Sequence, residues 1–232
     1  MRTIWRAGGL LFGAALMVTG CTEENSPTTL RRSGGAAFDA AASLTSAVTD
    51  LAGDAAWNFN TGPGSAAKVP AYLDIVRAEV SQKGRTFTFT LDLAEIVPAS
   101  PAPASGGLGV YDWFFELDTD PTTFPSGKDG VFPQNQALPV ELFVAVEWDG
   151  TQFKGLLFDL RPLLSGEPMI ITPVAFSIGG AEIQLSVAAS ALGDPSTFGW
   201  AAATCARHSH YASDGIQCLD RAPDAGFVTW PQ

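Results

Sequence analysis

The feature that most constrains the fold is the recurrence, from Tyr72 onward, of short runs in which apolar and polar residues alternate, bounded by glycine, proline or aspartate. The clearest run is Phe87, Phe89, Leu91 and Leu93, interleaved with threonines and Asp92. Successive side chains of a strand point to opposite faces, so this spacing makes one face apolar and the other polar. A looser run over residues 72–80 precedes it, and a turn at Gln82-Lys83-Gly84 joins the two. Further runs at 110–117, 140–148, 152–160, 170–178, 182–188, 198–205 and 227–230 bring the total to about eight to ten strands. Asp149-Gly150 predicts a tight two-residue hairpin because both residues accept positive φ angles. Gly179-Gly180 predicts another, and residues 189–192 a helical turn. No long amphipathic helix separates the strands, so the expected fold is all-β, a single antiparallel β-sandwich of jelly-roll or immunoglobulin type. In that fold the strand aromatics Phe87, Phe89, Trp113, Phe115, Phe143, Phe158, Phe176 and Trp200 belong to the core, whereas Trp57, Phe59 and Phe153 have no obvious place.

Residues 1–21 are of another kind. Arg2 and Arg6 are followed by an apolar run from Gly8 to Val18 and then by Val18-Thr19-Gly20-Cys21. The run falls short of the roughly 20 residues that span a bilayer, and its basic start and small residues mark an export signal. This segment resembles the lipobox of bacterial lipoproteins. The resemblance implies that Cys21 becomes the mature N-terminus, with a diacylglycerol on its sulfur and usually a third chain, such as palmitate, on its amine. Each buried methylene contributes ~0.8 kcal/mol, and two chains hold a protein stably on its membrane. The expected location is therefore the bacterial cell envelope, on a periplasmic or surface-exposed side. Residues 22–35 are polar and read as a flexible tether, leaving 36–232 as the sandwich domain. Residues 36–48 read either as a short helix, with Phe38, Ala42, Thr45 and Val48 on one face, or as more tether.

The chain has 13 basic and 24 acidic residues, and removal of Arg2 and Arg6 with the signal leaves a formal charge of −13. Nucleic acid is excluded as a partner, since phosphate binding needs a basic stripe and the basic residues here are scattered. Carboxylates in such excess suit a solvated extracellular surface or a divalent-cation site. With Cys21 lipidated, Cys205 and Cys218 remain as a pair in an oxidising compartment, where the expectation is a disulfide contributing ~3 kcal/mol. The alternative is a metal site with His208 and His210, which fall in the same loop but match no familiar zinc spacing.

Three short motifs bear on function. Asp50-Leu51-Ala52-Gly53-Asp54 and Tyr72-Leu73-Asp74-Ile75-Val76 open the domain, and Asp220-Arg221-Ala222-Pro223-Asp224-Ala225-Gly226 closes it. Together they resemble the opening and closing loops of extracellular β-sandwiches related to family 9 carbohydrate-binding modules and DOMON-like domains, over roughly residues 48–232. In those domains the two loops meet at one end of the sandwich and often hold calcium, which implies Asp50, Asp54, Asp74 and Asp220 as ligands here. The donor chemistry agrees, since calcium takes six to eight oxygens. The competing reading is that these aspartates cap turns. The family's sugar-binding members clamp a sugar between aromatic rings, and Trp57 and Trp148 are the candidates for that role. Asp118 to Gly130 has aspartates but lacks the EF-hand offsets.

Catalysis has little support. No G-x-S-x-G or H-E-x-x-H is present, and Glu116, Glu141 and Glu147 occupy strand positions where alternation would leave them exposed. The expected function is a non-enzymatic, lipid-anchored binding module for an extracellular ligand, a glycan being the leading one. The alternative is a calcium-stabilised structural or protein-interaction domain of the envelope, with a hydrolase as the third class.

Overall fold

Strand pairing in the computed structural model follows the alternation. It describes residues 43–57, 68–104, 107–122, 140–208 and 216–232, all within the unit Asp39–Gln232. The predicted signal, Cys21 and the tether, with Phe59 and His210, lie outside the described residues. In chain order the strands are β1 (Leu44–Thr49), β2 (Ile75–Lys83), β3 (Thr86–Leu93), β4 (Val110–Asp118), β5 (Leu142–Trp148), β6 (Phe153–Asp159), β7 (Ile170–Pro173), β8 (Ala175–Gly179), β9 (Glu182–Ala188), β10 (Phe198–Arg207), β11 (Gln217–Ala222) and β12 (Val228–Trp230). They form two antiparallel sheets, β1-β2-β3-β9-β8 and β11-β10-β4-β5-β6-β7, with β12 paired to β10. The sheets pack face to face as a β-sandwich.

The core lies between them. Phe87, Phe89, Leu91, Ile183 and Leu185 of the smaller sheet meet Trp113, Phe115, Leu142, Val144 and Trp200 of the larger one, all fully buried. Residues one position out of step face the other side of the larger sheet, where Phe114, Phe143, Ala145, Ala203 and Cys205 form a second buried cluster. Cys205 and Cys218 are joined there, their Cα atoms 4.0 Å apart on neighbouring strands. With its two sulfurs bonded to each other, this loop offers no thiolate to a metal.

Several local expectations change. Residues 44–49 are neither helix nor tether: they pair with β2, and Ser46 accepts from Trp200 Nε1 at 3.1 Å while donating to the Thr229 carbonyl at 3.2 Å, so β1 joins the two sheets. The Asp149-Gly150 hairpin has a four-residue loop, because Asp149 Oδ1 accepts from the backbone of Thr151 (2.8 Å) and Gln152 (2.9 Å) and draws them into the turn. Residues 170–178 are not one strand. They break at Val174, whose N–H donates to the Gly155 carbonyl at 2.9 Å, so that β7 extends the larger sheet and β8 the smaller. Gly155 permits this crossing, since a Cβ there would sit 2.4 Å from the Val174 carbonyl oxygen and 2.8 Å from the Phe176 ring. Phe176 is consequently at the side of the sandwich, 38% exposed, rather than in the core.

Candidate metal centre

At one end of the sandwich three separate segments converge. The loop after β1 carries Asp50 and Asp54, the residue before β2 is Asp74, and β11 carries Asp220. Backbone bonds fix the loop in place: Asp50 N–H donates to the Val76 carbonyl (3.0 Å) and Ala56 N–H to that of Leu219 (2.8 Å). Gly53 has a φ of 91°, a left-handed conformation that costs glycine little. Its N–H donates to Asp74 Oδ2 at 2.7 Å. Asp74 follows the 3₁₀ turn Ala71–Leu73, and that turn is held by the larger sheet. Trp113 Nε1 donates to the Tyr72 carbonyl (2.8 Å) and Thr204 Oγ1 to that of Leu73 (2.6 Å).

Asp220 reaches across the sandwich. Its Oδ2 accepts from Ile75 N–H at 2.5 Å and its Oδ1 from Arg221 N–H at 2.8 Å. The next side chain shapes the closing turn: the Arg221 guanidinium donates to the Pro223 and Gly226 carbonyls, both at 2.7 Å, and lies 5.5 Å from the centre of the Phe227 ring. This turn presents Asp224 to the cluster.

Asp50, Asp54 and Asp220 each place one carboxylate oxygen so that the three lie within 4.8 Å of one another. Asp50 Oδ2, Asp54 Oδ1 and Asp74 Oδ1 are buried and accept no hydrogen bond, and Asp74 as a whole is 5% exposed. Burial, then mutual repulsion, push the carboxyls up: Asp50 to about 6, with Asp54, Asp224 and Asp74 as the repelling charges, and Asp220 to about 7, with Asp50 and Asp54. Asp54 is raised for the same reasons, by burial and by Asp224 and Asp74. Among the described residues no ion pair joins these four aspartates to a basic side chain. The residues therefore fit a hard divalent cation: oxygen donors only, excess negative charge, and buried acceptors without donors. Oxygens bound to calcium at about 2.4 Å lie at most about twice that distance apart, which matches the observed clustering.

The four aspartates carried over from the motifs are thus brought together, and a fifth, Asp224, joins them through its charge. It stands in the quoted closing motif as the second aspartate, which was the available signal. Trp57 and Trp148 are placed otherwise. Both belong to the core between the sheets, 4% and 5% exposed, and neither is an exposed stacking surface. Trp148 shares the inward face of β5 with Leu142, Val144 and Val146 and packs on Phe153 at 4.8 Å.

Glu116, Glu141 and Glu147 are buried rather than exposed. Arg207 bonds both Asp112 and Glu147, and Arg221 approaches Glu116 at 3.4 Å. Glu141 Oε2 accepts from Thr119 N–H at 2.6 Å. These contacts tie the glutamates into the structure of the sheet. Neither a protein-family model nor a curated protein matches the chain.

Proposed function

We propose that the protein is a non-catalytic, lipid-anchored envelope module whose β-sandwich is stabilised at one end by calcium, and that it serves as a structural or protein-interaction domain. The observation that carries this reading is the approach of Asp50, Asp54 and Asp220 to within 4.8 Å of one another without a compensating basic side chain among the described residues. Asp50, Asp54 and Asp220 would hold the ion, with Asp74 beside them and Asp224 adding charge. The ion would neutralise their repulsion and lock the loop after β1 to β2 and β11. The opening and closing motifs, with their resemblance to calcium-holding extracellular sandwiches, support the same assignment. Attachment through Cys21 remains part of the proposal on the strength of the lipobox.

Glycan binding is the weaker reading, because with Trp57 and Trp148 in the core a sugar would need a different aromatic surface. The test is thermal melting of the full chain with millimolar calcium against a chelator. At about a hundredfold excess over Kd, binding to the folded state stabilises by ~2.7 kcal/mol, roughly 5–10 °C for a domain of this size. An unchanged melting temperature would remove the cation from the proposal. Retention of the shift in Asp54→Asn would move the ion elsewhere.

A further inference from the structure

On the face of the larger sheet turned away from the core, β4 and the chain at β5 share two pairs of carboxylates. Asp112 and Glu147 face each other across the strands, and Arg207 bridges them. At the other end Asp118 closes β4 and Glu141 immediately precedes β5. Glu116 faces Phe143, so alternation puts Asp118, two residues on, and Glu141, two residues back, on that same face. Glu141 is fully buried. Its Oε2 accepts from Thr119 N–H (2.6 Å), Thr119 Oγ1 (3.2 Å) and Asp120 N–H (3.4 Å). Its Oε1 and Asp118 Oδ1 are also buried, and neither accepts a hydrogen bond. Burial pushes both carboxyls up, Asp118 adding to the rise at Glu141 and Asp120 to that at Asp118.

The flanking strands do not supply the missing charge. On β10 the residue facing Asp118 is Gly199, where a Cβ would come within 3.2 Å of Phe227. On the β6 side the buried Leu160 donates its N–H to the Glu141 carbonyl at 2.8 Å. Arg161 follows, and the Glu141 charge reaches it, but its guanidinium is taken by Asp159, at 2.8 and 2.6 Å, and by the Leu192 carbonyl at 3.3 Å. Among the described residues no ion pair joins Asp118 or Glu141 to a basic side chain. Two neighbouring carboxylates taken from water without an opposite charge require one from a bound ion or a proton.

We propose that Asp118 and Glu141 hold a second divalent cation, of the magnesium type, through Asp118 Oδ1 and Glu141 Oε1. Calcium takes six to eight oxygens, whereas magnesium keeps several of its waters and is commonly held by one or two carboxylates. A pair of acidic side chains with one open oxygen each suits the second pattern. The ion does for this pair what Arg207 does for Asp112 and Glu147. The segment Asp118-Thr119-Asp120, which lacks the EF-hand offsets, thereby contributes a ligand and, through Thr119 and Asp120, the amides that orient Glu141. The site is separate from the one at Asp50, Asp54 and Asp220. Asp220 is level with Thr204 and Trp113, and Asp118 lies five residues further along β4, about 16 Å away at ~3.3 Å per residue.

The experiment is equilibrium dialysis of the full chain in non-ionic detergent against magnesium, with calcium as a separate arm. Asp54→Asn, which disables the first site, is compared with the same variant carrying Asp118→Asn or Glu141→Gln. Glutamine at 141 can still accept from Thr119 N–H, so the charge is lost while that bond is kept. Asp54→Asn should take up one magnesium ion per chain, and each double variant should take up none. Uptake by wild type that is lost in Asp54→Asn would place the magnesium at the first site and overturn the proposal. Uptake that survives both Asp118→Asn and Glu141→Gln overturns it as well, and so does uptake of calcium but not magnesium by Asp54→Asn. No magnesium bound by any variant would mean that the pair is neutralised by a proton. That result overturns the proposal too, and it leaves the calcium-induced shift in melting temperature as a separate test of the first site.

Discussion

Two groups of buried carboxylates stand on opposite sides of β11, and they are neutralised differently. On the outward face of the larger sheet Asp112 and Glu147 share Arg207, and Glu116 is met by Arg221. At the end of the sandwich Asp50, Asp54, Asp74 and Asp220 have, among the described residues, only backbone amides and one another. Removing carboxylates from water without an opposite charge is costly, and the usual response is protonation or capture of a cation. The first group is thus matched by arginines, whereas the second has no cation among the described residues, which is the ground for the proposed metal ion. Arg221 adjoins both. Its backbone N–H holds Asp220 and its guanidinium shapes the turn carrying Asp224, while its charge is directed at Glu116.

The contrast is tested most severely by Arg207→Ala, which should cost about 3–5 kcal/mol because Asp112 and Glu147 would be left buried without their cation. Chemical denaturation measures this. A loss below about 1 kcal/mol, the range of an exposed pair, would show that the outward face is not charge-balanced by that arginine.

The pH dependence of the cation-free protein is the next largest effect. Asp50 and Asp220 titrate in the folded state at about 6 and about 7, above the ordinary aspartate value of 3.8. A raised folded pKa means that the folded state binds more protons than the unfolded one. Their contribution is therefore fully present below pH ~4 and is lost as pH rises through about 7. In chelator, stability should fall across that window, and the calcium-induced shift should grow over the same range. A chelated protein whose melting temperature is flat from pH 4 to 8 would contradict it.

Asp54→Asn has the smallest expected effect and the most telling sign. It removes a charge from the uncompensated group, so in chelator the variant should be as stable as wild type or better by up to ~1 kcal/mol, while the calcium shift is lost. Deleting a charge on the outward face has the opposite sign. Destabilisation by more than ~1 kcal/mol in chelator would mean that Asp54 serves the turn and not an ion.

The carboxylate corner was anticipated through the resemblance that its short motifs carry, with turn capping as the competing reading. Asp50 and Asp54 flank Gly53, whose left-handed backbone the D-x-x-G-D pattern anticipates, and the closing motif holds both Asp220 and Asp224. Trp148, named as a clamp candidate, shares its parity with Val144 and Val146, and that parity is the signal that places it on the inward face of β5. Trp57 carries no such pattern, since it follows a loop without periodicity. The burial of Glu116 and Glu147 could not be read locally. Their arginines come from β11 and β10, 105 and 60 residues away. Nor could the break at Val174 be read from residues 170–178, whose apolar content fits a single strand equally well.

The sequence by itself determined the all-β class, most strand positions and the cysteine pairing, because alternation, turn chemistry and cysteine count act over a few residues or by simple arithmetic. Tertiary structure decided which carboxylates are compensated, that both tryptophans are core, and that one apolar segment lies along an open flank. Those outcomes depend on which strands become neighbours, and strand order is set by long-range packing that no local pattern encodes.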